Sequence, residues 1–290
     1  MGRIVCIGSI NADYIYRVPH LPAPGETLSA ASMTRMLGGK GANQSIAASL
    51  SGAEVAHVGA IGANDDWLIR VLAKAGIETR FVAQVDVPSG HAIINVDDAG
   101  ENAIVLFPSA NHAIPKGRIT EALAGYGPGD TCLLQNEVTI SAEAARQAKA
   151  RGLTVIYSAA PFEAAAVEAV LPFADLLVMN EGEAAELSRA LGKTPEEMPC
   201  DVLVTKGAEG AIYYGETPEV CAAFEVTPVD TTGAGDCYIG AFAARRTSGA
   251  SVADALRWAS AASAIQVTRP GTADAMPTKA EIEAFLAGRT

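Results

Sequence analysis

Short runs of β-branched and other apolar residues alternate along the chain with longer runs whose apolar positions recur every three or four residues. The short runs, at 4–8, 54–60, 131–135, 154–157, 176–179 and 202–205, predict strands. The longer ones, at 41–50, 65–75, 142–151, 163–171, 182–191, 235–246 and 251–267, are Ala-rich and amphipathic and predict helices. This alternation predicts an α/β fold: a doubly wound, mostly parallel sheet with helices on both faces. In such sheets ligands gather at the carboxyl ends of the strands, and each motif below follows a predicted strand.

Two stretches break the pattern. Residues 11–37 contain Pro19, Pro22, Pro24 and Gly25 and show no helical period. Residues 89–108 read as a hairpin, with strands at 92–96 and 103–107 and a turn between them. Together they predict a small β-sheet lid, whose apolar face calls for cover by a substrate, the main domain or a partner subunit. The chain carries no internal repeat or low-complexity linker, so 1–290 is expected to form a single domain with the lid inserted.

Composition narrows the function classes. Nearly half of the 290 residues are hydrophobic, enough for one large core, yet no apolar run is long enough to span a membrane. The first residues resemble a β-strand and are too short in their apolar part for a signal peptide. Five scattered cysteines form no CxxC pair or metal spacing, which predicts reduced thiols and a cytoplasmic protein. A net charge of −12 argues against a nucleic-acid partner. It also means that an anionic ligand must find local positive potential at helix termini, a few cations or Mg²⁺.

Asp230-Thr231-Thr232-Gly233-Ala234-Gly235-Asp236 offers that kind of site. An apolar run at 222–226, predicted to be a strand, leads in, and a helix follows. Glycines let a ligand approach the main chain, and unpaired N–H groups at the helix start favour an anion. Asp236 would repel a resident phosphate, so it is expected to act as a base facing a reacting hydroxyl. Cys237 beside it is expected to be a core thiol.

Gly38-Gly39-Lys40-Gly41-Ala42-Asn43-Gln44 is a second glycine turn, but Gly41 stands where Walker A needs Ser or Thr. Neither turn fits GxGxxG, which opposes a dinucleotide oxidoreductase. The second turn is either a tight connection or a polyol site in which Asn43 donates to and accepts from hydroxyls. Asn11 and Asp13, alternate residues after the first strand, are plain loop residues or a pair accepting from vicinal hydroxyls. Asn180 and Glu183 open a helix as capping residues or as partners of Mg²⁺ and phosphate. Glu137 is a further acid at a strand end, and Lys206 to Gly210 is a plain hairpin turn or a nucleotide contact through Thr205 and Gly207.

With Pro24-Gly25-Glu26-Thr27 and Ala264-Ile265-Gln266-Val267-Thr268-Arg269-Pro270-Gly271, these motifs run in the order found in the PfkB carbohydrate kinases. The chain resembles that family over nearly its whole length, and within it the ribokinases. The resemblance implies ATP-dependent transfer of the γ-phosphoryl group to a primary hydroxyl of a pentose, with ribose favoured. Fructose, 2-keto-3-deoxygluconate or a nucleoside as acceptor, or a silent sugar-binding regulator, are the alternatives. It implies Asp236 as base, with Gly233, Ala234 and Gly235 as anion hole. Asn11, Asp13, Gly39, Lys40, Asn43 and Glu137 would hold the sugar, and Asn180, Glu183, Thr205 and Gly207 would serve Mg²⁺ and ATP. A monovalent cation such as K⁺ would sit at Asp230, Thr232, Gln266, Arg269 and Gly271, mostly on carbonyl oxygens. The lid would form a homodimer clasp. Ala275 stands where ribokinases commonly carry a hydroxyl, and 107–111 replaces a His-containing, Gly-rich lid segment.

Overall fold

In the computed structural model, which describes residues 2–289, the predicted strands and helices, apart from the run at 222–226, form with ends within a residue or two of those expected. In chain order the first elements are β1 (Ile4–Ile7), β2 (Asn11–Arg17), β3 (Ser32–Gly38), α1 (Lys40–Leu50), β4 (Val55–Gly62), α2 (Asp66–Lys74), β5 (Val82–Val85), β6 (Gly90–Val96) and β7 (Asn102–Phe107). Then come α3 (Lys116–Leu123), β8 (Thr131–Gln135), α4 (Ser141–Ala150), β9 (Thr154–Ser158), α5 (Ala164–Val170), β10 (Leu176–Asn180) and α6 (Glu181–Leu191). Last are β11 (Asp201–Thr205), β12 (Ala211–Tyr214), β13 (Glu219–Cys221), α7 (Ala234–Thr247), α8 (Val252–Gln266) and α9 (Lys279–Ala287).

The main sheet has the order β13-β12-β11-β10-β9-β8-β1-β4-β5 and is parallel except for β12 and β13. Alternate side chains along each strand enter two different cores, as strand geometry requires. Ile4, Cys6, Leu133 and Val178 pack under α1, α2, α7, α8 and α9. Val5, Ile7, Leu134 and Leu177 pack under α3 to α6 on the other face. In-register pairing sets Asn180 beside Thr205 and Gln135 beside Ser158, so strand-end residues share one edge of the sheet.

Between α1 and α7 the backbones touch closely. A Cβ at Gly240 would stand 2.4 Å from the Gln44 carbonyl oxygen, so only glycine permits this approach. That contact places the second glycine turn against the helix that carries Asp236.

The lid is a separate sheet of order β3-β2-β6-β7, antiparallel except where β2 runs parallel to β6. Residues 18–31 join its first two strands without regular structure. Arg35 on β3 stacks over Trp67 of α2, 4.4 Å from the ring centroid, tying the lid to the main domain. Ile104, Val105, Leu106 and Phe107 on the edge strand are exposed.

One predicted strand does not form. The run 222–226 lies beyond β13, which ends at Cys221. Its side chains serve a wall instead: Phe224 packs edge-on against Phe285 at 5.2 Å, and Ala223, Phe224 and Val226 border a cavity.

Candidate active site

Asp236 sits in the first turn of α7, after Gly233, whose φ of 77° suits glycine. The Ala234 N–H donates back to Thr231. Those of Gly233, Gly235 and Asp236 have no partner among the described residues, so they are the open donors of this helix start. A Cβ at Gly235 would meet nothing within 4 Å, because the turn faces the cavity.

The Asp236 carboxylate is buried and held from α1. Gln44 Nε2 donates to its Oδ1 at 2.9 Å, and Asn43 Nδ2 to its Oδ2 at 3.3 Å. Behind it Gln135 Nε2 donates to Gln44 Oε1 at 2.7 Å, which fixes the amide orientation. Burial, chiefly, and the charge of Glu137 push the Asp236 carboxyl above the ordinary carboxylate range, while Lys40 and the two amides pull it back. Burial lowers the affinity of Lys40 for its proton, but the carboxylates of Asp236, Glu137 and Glu183 outweigh that and keep it charged. Lys40 therefore couples the acids from both sides of the site. Burial pushes the Cys237 thiol up to about 12, in keeping with a core residue.

Asp13 lies on β2 opposite β3, and Gly38 makes room for it, since a Cβ there would fall 1.9 Å from Asp13 Oδ2. Its Oδ1 is buried without a hydrogen-bond partner, and so is Oδ1 of Asn43. Burial, with Glu137 next, raises the Asp13 carboxyl to about 6. Two buried acceptors without partners among the described residues call for donors, which hydroxyls can supply. Asn11 differs from the expected acceptor. Its Oδ1 already accepts from Asn111 at 2.7 Å, which leaves its Nδ2 to donate. Glu137 accepts from Ser9 Oγ at 2.5 Å and from the Lys40 backbone N–H at 3.0 Å, closing the recess beneath Gly39.

On the other side of Gly235 opens a cavity of about 660 Å³, bordered by Thr205, Gly207, Ala208, Phe224, Val226, Thr231, Tyr238, Ser263 and Val267. Asn180 and Glu183 form a reciprocal capping box at the start of α6, each main-chain N–H donating to the other's side chain at 2.8 Å. That leaves one oxygen of Glu183 free. No group of three His, Cys, Asp or Glu side chains among the described residues could hold a metal. The donor set fits a Mg²⁺ that keeps its waters and takes its remaining ligands from phosphate oxygens.

The five residues expected around a monovalent cation come together through hydrogen bonds of their own. Gln266 Nε2 donates to the carbonyl oxygens of Thr232 at 2.8 Å and Gly271 at 3.2 Å. The Arg269 main-chain N–H donates to the Gln266 carbonyl at 3.0 Å, while its guanidinium reaches Glu281 at 2.5 Å. The two carbonyls thus face an amide N–H₂ group, which does not fit a cation between them.

Gln44, Gln135, Ser9 and Asn111 were not singled out from the sequence as site residues. Gln44 closes the second glycine motif and could have been; the other three gain their roles only through contacts with distant segments.

The model of the pfkB family carbohydrate kinases matches residues 1–279. The chain is 32% identical over 300 residues to ribokinase of Haemophilus influenzae, covering 98% of both chains. Its structure is similar to that of ribokinase from Thermotoga maritima, with a TM-score of 0.90, 33% identity and coverage of 99% of this chain and 100% of that one. It is also similar to Arabidopsis thaliana ribokinase complexed with ribose and ATP, with a TM-score of 0.86, 28% identity and 99% of each chain covered. On sequence, fold and the order of its motifs, this chain belongs to the pfkB family of carbohydrate kinases.

Proposed function

We propose that this enzyme phosphorylates D-ribose at its primary hydroxyl, with ATP as donor and ribose 5-phosphate as product. The observation that carries the proposal is the pair of buried, unpaired acceptors, Asp13 Oδ1 and Asn43 Oδ1, the first within the field of Glu137 and the second on the amide that holds Asp236. A small polyol satisfies such groups, and leaving them unpaired is costly. The similarity to ribokinases, one of them crystallised with ribose and ATP, supports the choice of sugar.

Asn11, Asp13, Gly39, Lys40, Asn43 and Glu137 bind the sugar and turn its primary hydroxyl toward Asp236. Asp236 takes the hydroxyl proton as that oxygen attacks the γ-phosphorus. The bond from phosphorus to the bridging oxygen breaks, and ADP leaves with that electron pair. The open N–H groups of Gly233, Gly235 and Asp236 and the Lys40 ammonium meet charge on the transferred group. Glu183 would hold Mg²⁺, which when bound would supply charge neutralisation for the phosphates. Thr205 and Gly207, which border the adjoining cavity, position the nucleotide, with Asn180 beside Thr205 at the strand ends. The lid closes over the sugar and excludes water as a competing acceptor.

A second copy of the chain covering the exposed apolar strand β7 would give a homodimer. Five free thiols suit a reducing, cytoplasmic setting. No helix among the described residues is long and apolar enough to cross a membrane.

The acceptor atom can be tested with 5-deoxyribose, which keeps the hydroxyls facing Asp13 and Asn43 but lacks the reacting one. It should bind, by calorimetry, and release no ADP. Release of ADP from it would place the transfer elsewhere on the sugar.

A further inference from the structure

The loop that leads into the anion hole is stapled by side chains at both ends of its peptide groups. Asp230 Oδ1 accepts from the Thr232 N–H at 2.9 Å, and its Oδ2 from the Gly271 N–H at 3.0 Å. Gln266, fully buried, donates from one nitrogen to the carbonyls of the same two residues at 2.8 and 3.2 Å. A carboxylate thus holds the two N–H groups and an amide holds the two C=O groups. The opposite amide orientation would set Oε1 against two carbonyl oxygens, so the donor must point inward. Oε1 is left buried with no partner among the described residues, an arrangement that persists only while the N–H₂ group is strongly engaged.

The stapled loops carry the site. A Cβ at Gly233 would meet Thr272 at 3.2–3.3 Å, so the anion-hole glycine rests directly on the segment that follows Gly271. Gly271 itself, at φ 95°, approaches Met36 of the lid. At Ala275 only a methyl side chain is present, and it is buried. Its carbonyl faces Arg269 at 3.5 Å. Positive hydrogens of Gln266 occupy the place between oxygens where a monovalent cation would draw the same two loops together.

We infer that Gln266 is a positioning residue whose amide replaces a monovalent cation, so that this enzyme is indifferent to K⁺. The inference rests on the reading of 233–236 as the anion hole of a sugar kinase. It makes Gln266→Ala the variant that should acquire the cation dependence absent from the native chain. Removing the amide frees the carbonyls of Thr232 and Gly271, and a K⁺ of suitable size can then bridge them.

The test compares native enzyme and Gln266→Ala in tetramethylammonium buffer, with K⁺ added at constant ionic strength. ADP release with ribose and the melting temperature are both followed. Native kcat should change by less than about twofold and its melting temperature should not respond. Gln266→Ala should lose about tenfold or more in kcat without K⁺, melt lower, and recover part of both when K⁺ is added. A native enzyme activated tenfold or stabilised by K⁺ would overturn the inference, since carbonyls and Oε1 would then be coordinating it. So would a Gln266→Ala enzyme as active as native in the absence of K⁺. If no sugar or nucleoside is turned over, the kinase reading fails, and the melting responses to K⁺ still decide the role of Gln266.

Discussion

Replacing Asp13 by Asn should make the protein more stable and a poorer ribose binder at once. In the fold the Asp13 carboxyl is raised from 3.8 to about 6, because burial and the neighbouring charge of Glu137 both oppose ionisation. A shift of that size means that keeping the carboxylate charged in the folded protein costs about 3 kcal/mol above pH 7. Asn removes the charge but leaves a buried amide imperfectly paired, which returns about 1–2 kcal/mol of that gain. The net expectation near pH 8 is a stabilisation of about 1–2 kcal/mol, seen as a rise in melting temperature of roughly 2–3 °C.

The sign of the pH dependence follows from linkage. As pH falls through about 6 toward 3.8, native Asp13 binds its proton in the folded state before the unfolded chain does, so native stability rises. The variant has no such proton to gain. The difference in melting temperature should therefore shrink toward zero near about pH 4–5. Over the same substitution ribose loses a charge-assisted hydrogen bond worth about 1.5–3 kcal/mol, so its dissociation constant should rise roughly 10–10²-fold. Calorimetric melting at two pH values and titration with ribose measure both halves. A variant that melts no higher than native near pH 8, or binds ribose as well as native does, refutes the reasoning.

Burial lifts Asp236 above the ordinary carboxylate range and Lys40 holds it down, so kcat/KM should fall as acid protonates the base. Lys40→Met should move that acid limb to higher pH, and a limb that stays or moves lower would contradict the pairing. Gly240→Ala drives a methyl into the Gln44 carbonyl at 2.4 Å, so helices α1 and α7 must separate. The expected cost is about 1–3 kcal/mol in stability by denaturant titration, with a fall in kcat as Gln44 withdraws from Asp236. Phe107→Glu places a charge on the exposed apolar strand of the lid, the face of the proposed homodimer, and should lower the mass seen by light scattering to that of a monomer; an equal mass for both chains would contradict that face.

The main sheet was legible because its strands and helices carry strong, distinct periods, and both glycine turns stand out by composition alone. Other features depend on the folded arrangement. Gln44 reaches Asp236 across a separation of 192 residues, and Gln135 in turn holds Gln44 across 91, relations no local pattern encodes. Asn111 takes the carbonyl of Asn11, which turns an expected acceptor into a donor. The run 222–226 has the composition of a strand, yet it borders a cavity because Phe224 finds its partner in Phe285 of α9. Helix α9 carries its own start signal, Thr278 with Glu281 in a capping box, that a hydrophobic period of nine residues does not reveal. Gln266 reads from sequence as one more member of a loop; only its two hydrogen bonds set it apart.

The central claim is that Asp236 deprotonates a ribose hydroxyl for attack on ATP. It is tested most directly by coupled ADP release from native enzyme and Asp236→Asn across ribose, fructose, 2-keto-3-deoxygluconate and nucleosides. Ribose should give the highest kcat/KM, and Asp236→Asn should lower kcat by about 10²–10⁴-fold while ribose binding stays near native. Equal turnover by Asp236→Asn, or a nucleoside or other sugar preferred to ribose, would contradict the account.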